Sequence, residues 1–184
     1  MYKEAIQHLR KGNTLLYPSD TIWGLGCDAR DEKAVQKIID IKQRPDNKSF
    51  ILLISKIEQL NQYVVEIPEI AWNLVEFAEK PLTVIYPKGK NVAPNILAAD
   101  GSIAIRLVKD TFCKGLVYQF ERAIVSTSAN LSGMESPKKF TDISPQITES
   151  VDYILENPAG ETTSTNPSQI IKLGLDFGFE FIRK

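Results

Sequence analysis

The chain has 184 residues, 43% of them hydrophobic and 24% charged, a size that buries roughly 70% of the unfolded surface without disulfides or a structural metal. Twenty-two basic side chains against twenty-three acidic ones leave a net charge of −1, which excludes a strongly basic nucleic-acid coat. Residues 1–60 carry ten basic and eight acidic side chains and residues 124–184 five and eight, so an anion site is expected to draw its charge from the first part. No repeat, linker or low-complexity tract interrupts the chain, and a single domain over residues 1–184 is expected.

Two cysteines, Cys27 and Cys113, and one histidine, His8, cannot form the paired ligand spacings of a zinc site, nor a disulfide framework. No metal ligand is assigned. The longest apolar run is Phe50 to Ile54, far short of the ~20 residues of a membrane helix, and the N-terminus opens on a helical pattern in place of a basic stretch and apolar signal. A soluble, cytoplasmic protein without membrane contact is expected.

Tyr2, Ala5, Ile6 and Leu9 fall at helical spacing before Gly12, a left-handed stop. A strand follows at Thr14 to Tyr17. Asp31 is placed to cap a helix whose apolar face is Ala34, Val35, Ile38, Ile39 and Ile41, ending near Arg44 because Pro45 follows. Phe50 to Ile54 reads as a buried strand, Ser55 with Glu58 as a capping box, and Pro68 as the opening of a helix carrying Ile70, Leu74 and Phe77. Further strands are expected at Leu82 to Tyr86, Ile103 to Leu107, Ile124 to Thr127, Val151 to Leu155, Gln169 to Leu173 and Gly178 to Ile182. Helices and strands alternate early and strands crowd the end, which predicts an α/β domain on a mixed, twisted sheet.

Five loops carry more polar chemistry than a turn requires. In YPSDTIWGLGCDA, residues 17–29, Gly24 and Gly26 imply a tight path or a backbone close to a ligand, with Ser19, Asp20 and Thr21 offering polar groups; an ordinary strand-to-helix turn is the alternative. Lys42, Arg44 and Lys48 gather around Pro45 and suit a polyphosphate; a helix C-terminus that favours cations through its dipole is the alternative for any one of them. Arg106 interrupts an apolar strand, so it either points into a cleft or meets water on an edge strand. IVSTSANLSG, residues 124–133, crowds Ser126, Thr127, Ser128, Asn130 and Ser132 behind a short strand, and TTSTNPSQIIK, residues 162–172, presents Ser168 before another, with a flexible surface loop as the equal alternative for the latter.

Together these segments resemble the YrdC/TsaC family of L-threonylcarbamoyladenylate synthases over nearly the whole chain. PSDTIWGLG stands for PT(D/E)TxYGLG and KQRP for KxRP; SIAIR, STSANLSG and NPSQI follow in the family's order. The length is that of the short, single-domain members. Ser19 and Trp23 replace the common Thr and Tyr, Lys48 stands where many members have Asn, Lys80 where Gly often precedes Pro81, and Gln169 replaces a Thr.

The resemblance implies an α/β fold, a twisted mixed parallel/antiparallel sheet with flanking helices and a concave, positively lined cavity. It implies an enzyme, a nucleotidyltransferase joining L-threonine, bicarbonate and ATP, with Mg²⁺, into threonylcarbamoyl-AMP and pyrophosphate. A downstream tRNA-modifying transferase complex would use the product to make threonylcarbamoyladenosine. Carried over residue by residue, Thr21, Arg106, Ser128 and Ser168 form the L-threonine set, with Arg106 on the carboxylate. Arg44, Lys48, Ser102, Asn130 and Arg183 form the ATP set, and Lys42 and Arg44 the catalytic pair. His8 is expected to be structural. Asp20 either holds Mg²⁺ or caps a turn, and is not counted as a ligand. Three other readings stay open: a YciO-like paralogue without threonylcarbamoyl activity, a double-stranded RNA or tRNA binding module of weak affinity, and a structural or regulatory subunit, for which the sequence gives no positive sign.

Overall fold

The computed structural model of the chain describes residues 1–43, 50–156, 167–176 and 178–183. In chain order the elements are α1 (Lys3–Arg10), β1 (Leu15–Tyr17), β2 (Gly24–Asp28), α2 (Glu32–Lys42), β3 (Ile51–Ile54), α3 (Leu60–Tyr63), α4 (Ile70–Glu76), β4 (Leu82–Tyr86), β5 (Ile103–Leu107), α5 (Thr111–Phe120), β6 (Ile124–Ser128), α6 (Pro145–Thr148), β7 (Tyr153–Ile154), β8 (Gln169–Leu173) and β9 (Phe179–Arg183). The strands form one nine-stranded mixed sheet in the order β7-β1-β2-β6-β3-β5-β4-β8-β9. Pairs β1–β7, β3–β5 and β4–β8 are parallel and the other five antiparallel.

Local signals account for much of this. Gly12 takes φ +73° just after α1, where a side chain would be strained. Asp31 caps α2, its carboxylate accepting the N–H groups of Lys33 and Ala34 at 3.0 Å each, and Asp110 caps α5 through the N–H of Cys113 at 2.8 Å.

Some expected features are corrected. The turn after β3 is held by Gln59 in place of Glu58, its side-chain oxygen accepting from Ser55 N, Ser55 Oγ and Lys56 N. The strand expected at Val151 to Leu155 shrinks to Tyr153–Ile154, because the Asp152 side chain instead binds the N–H and hydroxyl of Thr14. Phe77, expected within the helix opened by Pro68, instead follows α4 and is 73% exposed.

Alternation along the strands gives the sheet two faces. One buries Leu25, Cys27, Leu52, Ile54, Val84, Ile103, Ile105 and Val125 against Val35 and Ile38 of α2, Tyr63 of α3 and Val75 of α4. The other is half covered: α1 and α5 pack Leu9, Phe112, Leu116 and Phe120 over Leu15, Tyr17 and Ile124. Gly115 lets α1 approach α5 closely, since a Cβ there would lie 2.7 Å from the Tyr2 hydroxyl. The uncovered half of this second face is where the polar strand residues lie. Among the described residues, no helix is long and apolar enough to cross a membrane.

Candidate active site

The uncovered half-face forms a cavity of about 290 Å³ whose walls include Thr21, Gly24, Ala104, Arg106, Ser126, Ser128, Ser168 and Arg183. Period-two alternation explains much of its polarity: Ser126 of β6, Ala104 and Arg106 of β5, and Ile85 of β4 project to one side while Val125, Ile103, Ile105, Val84 and Tyr86 enter the core. Ser128 joins the first set at the strand end, where Thr127 also reaches the cavity. Thr21, Arg106, Ser128 and Ser168, the residues expected to hold L-threonine, all line it.

Arg106 lies on β5 between β3 and β4, in register with Leu53 on one side and Thr83 on the other. Its strand is therefore central, which removes the edge-strand alternative. Its side chain is 5% exposed and lies 3.2 Å from Asp20 through Nη2, while Nη1 donates to Thr21 Oγ1 at 3.0 Å. A buried guanidinium is tolerated only with such partners. Asp20, considered above for Mg²⁺ or a turn cap, is thus the counter-ion of Arg106.

Arg183, expected on the nucleotide side, lines the same cavity beside Ser168: its Nε donates to the Ser168 carbonyl at 2.8 Å. Burial, and after it the positive charge of Arg106, lower the Arg183 pKa below its ordinary value. Two guanidiniums, that of Arg106 paired with Asp20, thus lie at one hollow. Behind Arg106, Asp110 has its carboxyl pKa raised, first by burial and then by the charge of Asp20.

Gly24 and Gly26 belong to a strand and not to the loop expected there. A Cβ on Gly24 would meet the Tyr17 ring at 3.0 Å and one on Gly26 the Val125 carbonyl at 2.4 Å, so both glycines serve close packing of β2. Tyr17 in turn donates its hydroxyl to Ser126 Oγ at 2.7 Å.

Lys42 is buried at the end of α2, where its ammonium donates to the carbonyls of Ser128 and Asn130. Asn130 uses its amide N–H groups on the carbonyls of Leu131 and Met134, folding the turn that ends at Gly133. Ser102 precedes β5 on the same alternation as Ala104 and Arg106, and its N–H donates to Asp100 at 2.9 Å; it is not among the residues lining the cavity. Arg44 and Lys48 lie outside the described residues. His8 is half-buried, stacked on Tyr153 with ring centroids 4.7 Å apart.

Two features at the site escaped the sequence. Thr83, fully buried in mid-strand, shares a 2.8 Å hydrogen bond with Ser168 Oγ; a hydroxyl inside the apolar run LTVIY was the available signal. Ser136 lines the cavity itself, and no local pattern marked it.

The Sua5/YciO/YrdC family profile, described as "Telomere recombination", matches residues 7–184. A threonylcarbamoyl-AMP synthase of Idiomarina loihiensis is 33% identical over 171 residues, covering 91% of each chain. A crystal structure of P. abyssi Sua5 complexed with L-threonine superposes with a TM-score of 0.85 at 32% identity, covering 92% of this chain; the chain spans about half of that protein's length, 50%. E. coli YciO superposes with a TM-score of 0.84 at 26% identity, covering 98% of this chain and 87% of YciO.

Proposed function

The chain belongs to the Sua5/YciO/YrdC family, and on that premise we infer that it is a threonylcarbamoyl-AMP synthase, a nucleotidyltransferase acting in tRNA modification. The observation that carries the reading is the meeting of Thr21, Arg106, Ser128 and Ser168, from four separate parts of the chain, in one cavity with a second guanidinium. At about 290 Å³ the hollow is near the lower bound of ligand pockets, ~300 Å³, a size suited to an amino acid and not to a whole nucleotide.

The proposed reaction joins L-threonine, bicarbonate and ATP. Bicarbonate takes up a proton and loses water to give carbon dioxide; the threonine amine adds to its carbon and releases a proton, leaving a carbamate, one of whose oxygens attacks the α-phosphorus. The bond from that phosphorus to the bridging oxygen breaks, and pyrophosphate leaves with the electron pair. Such a transfer asks for alignment and neutralised charge more than for a covalent nucleophile. Arg106 and Thr21 hold the amino-acid carboxylate, Ser128 and Ser168 bond its polar groups, and Arg183 adds positive charge beside the carbamate and phosphate. Lys42, Arg44, Lys48, Ser102 and Asn130 are proposed for the nucleotide side, Lys42 contributing through the carbonyls of Ser128 and Asn130 that it positions.

Mg²⁺ is proposed to enter with ATP as part of the substrate. Asp20 is engaged by Arg106, and among the described residues no group of three or more His, Cys, Asp or Glu side chains could hold a metal ion. The product is a mixed anhydride, readily hydrolysed, which favours prompt use by a tRNA-modifying transferase in the cytoplasm.

Pyrophosphate release from ATP and bicarbonate, measured with each of several amino acids, tests the reading. Release that requires L-threonine is expected. Equal release with many amino acids, or none with threonine, would support the YciO-like alternative. RNA binding that is tight at physiological salt, without threonine-dependent release, would favour the RNA-binding alternative.

A further inference from the structure

Arg106 leaves β5 on a long, flexible stem, and a planar fork can read a carboxylate through two parallel hydrogen bonds only if its plane is fixed. Adjacent residues of one loop meet both its terminal nitrogens: Thr21 Oγ1 accepts a hydrogen bond from Nη1 at 3.0 Å, and Asp20 Oδ1, which has no hydrogen-bond partner among the described residues, forms an ion pair with Nη2 at 3.2 Å. That loop is itself clamped. Ser19 Oγ donates to the Ile22 carbonyl at 2.6 Å and accepts the N–H groups of Thr21 and Ile22, while the Cys113 thiol donates to the Pro18 carbonyl at 3.4 Å.

Asp20 approaches from behind. It is not among the residues lining the cavity that Arg106 faces but borders a separate one of about 200 Å³ with Val75, Leu82, Leu107 and Lys109. Arg106 thus has a carboxylate at its back and the substrate hollow in front.

We propose that Asp20 is a positioning residue for amino-acid recognition, fixing the plane of the Arg106 guanidinium in which it meets the substrate carboxylate. This rests on the reading of Arg106 as the carboxylate-binding group. Simple electrostatics argues the other way: Asp20 is an anion beside an incoming anion, so charge alone has its removal tighten binding. The sign of the effect therefore separates positioning from mere charge compensation.

The test uses Asp20→Asn, which keeps the shape and loses the charge, and Asp20→Glu, which keeps the charge and moves it by one methylene. Titration calorimetry of the full chain should show L-threonine bound about tenfold or more weakly by both variants, the scale of a charge-assisted contact, with ATP affinity changed less than about twofold. In an Arg106→Ala background Asp20→Asn should have no further effect, as expected of a residue acting only through Arg106. A ligand-free readout accompanies these. The ¹⁵N signals of Arg106 Nη, assigned by their loss in Arg106→Lys, should be resolved by hindered rotation in the parent and merge in Asp20→Asn. Unchanged or tighter threonine binding by Asp20→Asn, or an unaltered Nη spectrum, overturns the proposal. Should the parent bind no L-threonine, the functional reading falls, and the Nη spectra alone decide the role of Asp20.

Discussion

Thr83 and Arg106 stand directly opposite each other across the β4–β5 pair, and the Thr83 hydroxyl continues to Ser168 Oγ at 2.8 Å. One fully buried threonine thereby links the strand that carries the cavity's arginine to the loop that carries its distant serine.

Thr83→Val keeps the shape and removes that link. A neutral hydrogen bond of this kind is worth about 1 kcal/mol net, so L-threonine affinity should fall roughly fivefold while the fold persists. Calorimetric titration with L-threonine, alongside thermal unfolding, checks this. Full affinity in the valine variant would mean that Ser168 is placed by the Arg183 contact alone.

Lys42→Met should lower stability as well as impair ATP use. The ammonium satisfies the carbonyls of Ser128 and Asn130, and leaving two such acceptors unpaired costs about 2–4 kcal/mol. Urea denaturation reads the first effect and ATP titration the second. A variant as stable as the parent but deficient in ATP binding would show that the ammonium serves the ligand and not the wall.

Gly26→Ala should destabilise the sheet centre by about 1–3 kcal/mol, the usual cost of overpacking, because its Cβ would sit 2.4 Å from the Val125 carbonyl and force β2 and β6 apart. Gly133→Ala meets nothing within 4 Å and should cost only the strain of its φ of +84°, about 1 kcal/mol. Comparing the two by denaturant midpoint separates packing from backbone conformation.

Asp100 gives a pH dependence. Hydrogen bonds from the Ser102 side chain and backbone N–H, with help from Lys172, hold its pKa down from 3.8 to about 2. A folded-state pKa lowered in this way contributes stability that is present above the unfolded value and lost as pH falls from about 4 toward 2. Asp100→Asn should flatten that part of the thermal midpoint profile. An identical acid profile in parent and variant would refute it.

What is legible in the sequence depends on the range over which each residue acts. Asp31, Gly12 and the apolar runs of β3, β4 and β5 act on their immediate neighbours, and they were legible. The strand at Gly24–Asp28 was not. Two glycines in five residues argue against a strand, and only the Tyr17 ring and the β6 backbone make their small size an advantage. The helix at Thr111–Phe120 was also missed: Gly115, three aromatic residues and Val117 are weak helix formers, and burial of Phe112, Leu116 and Phe120 against α1 and the sheet stabilises it.

The same division holds at the site. By itself the sequence determined which chemical groups are present, hydroxyls crowded behind short strands, and arginines within apolar ones, because charge and hydrogen-bonding capacity belong to the residue. Tertiary structure alone decided that β5 is central, that Asp20 pairs with Arg106, and that Arg183 joins Ser168. Those outcomes depend on which strands pair and in what register, and that is decided by burying side chains distant in sequence, an energy no short window of residues contains.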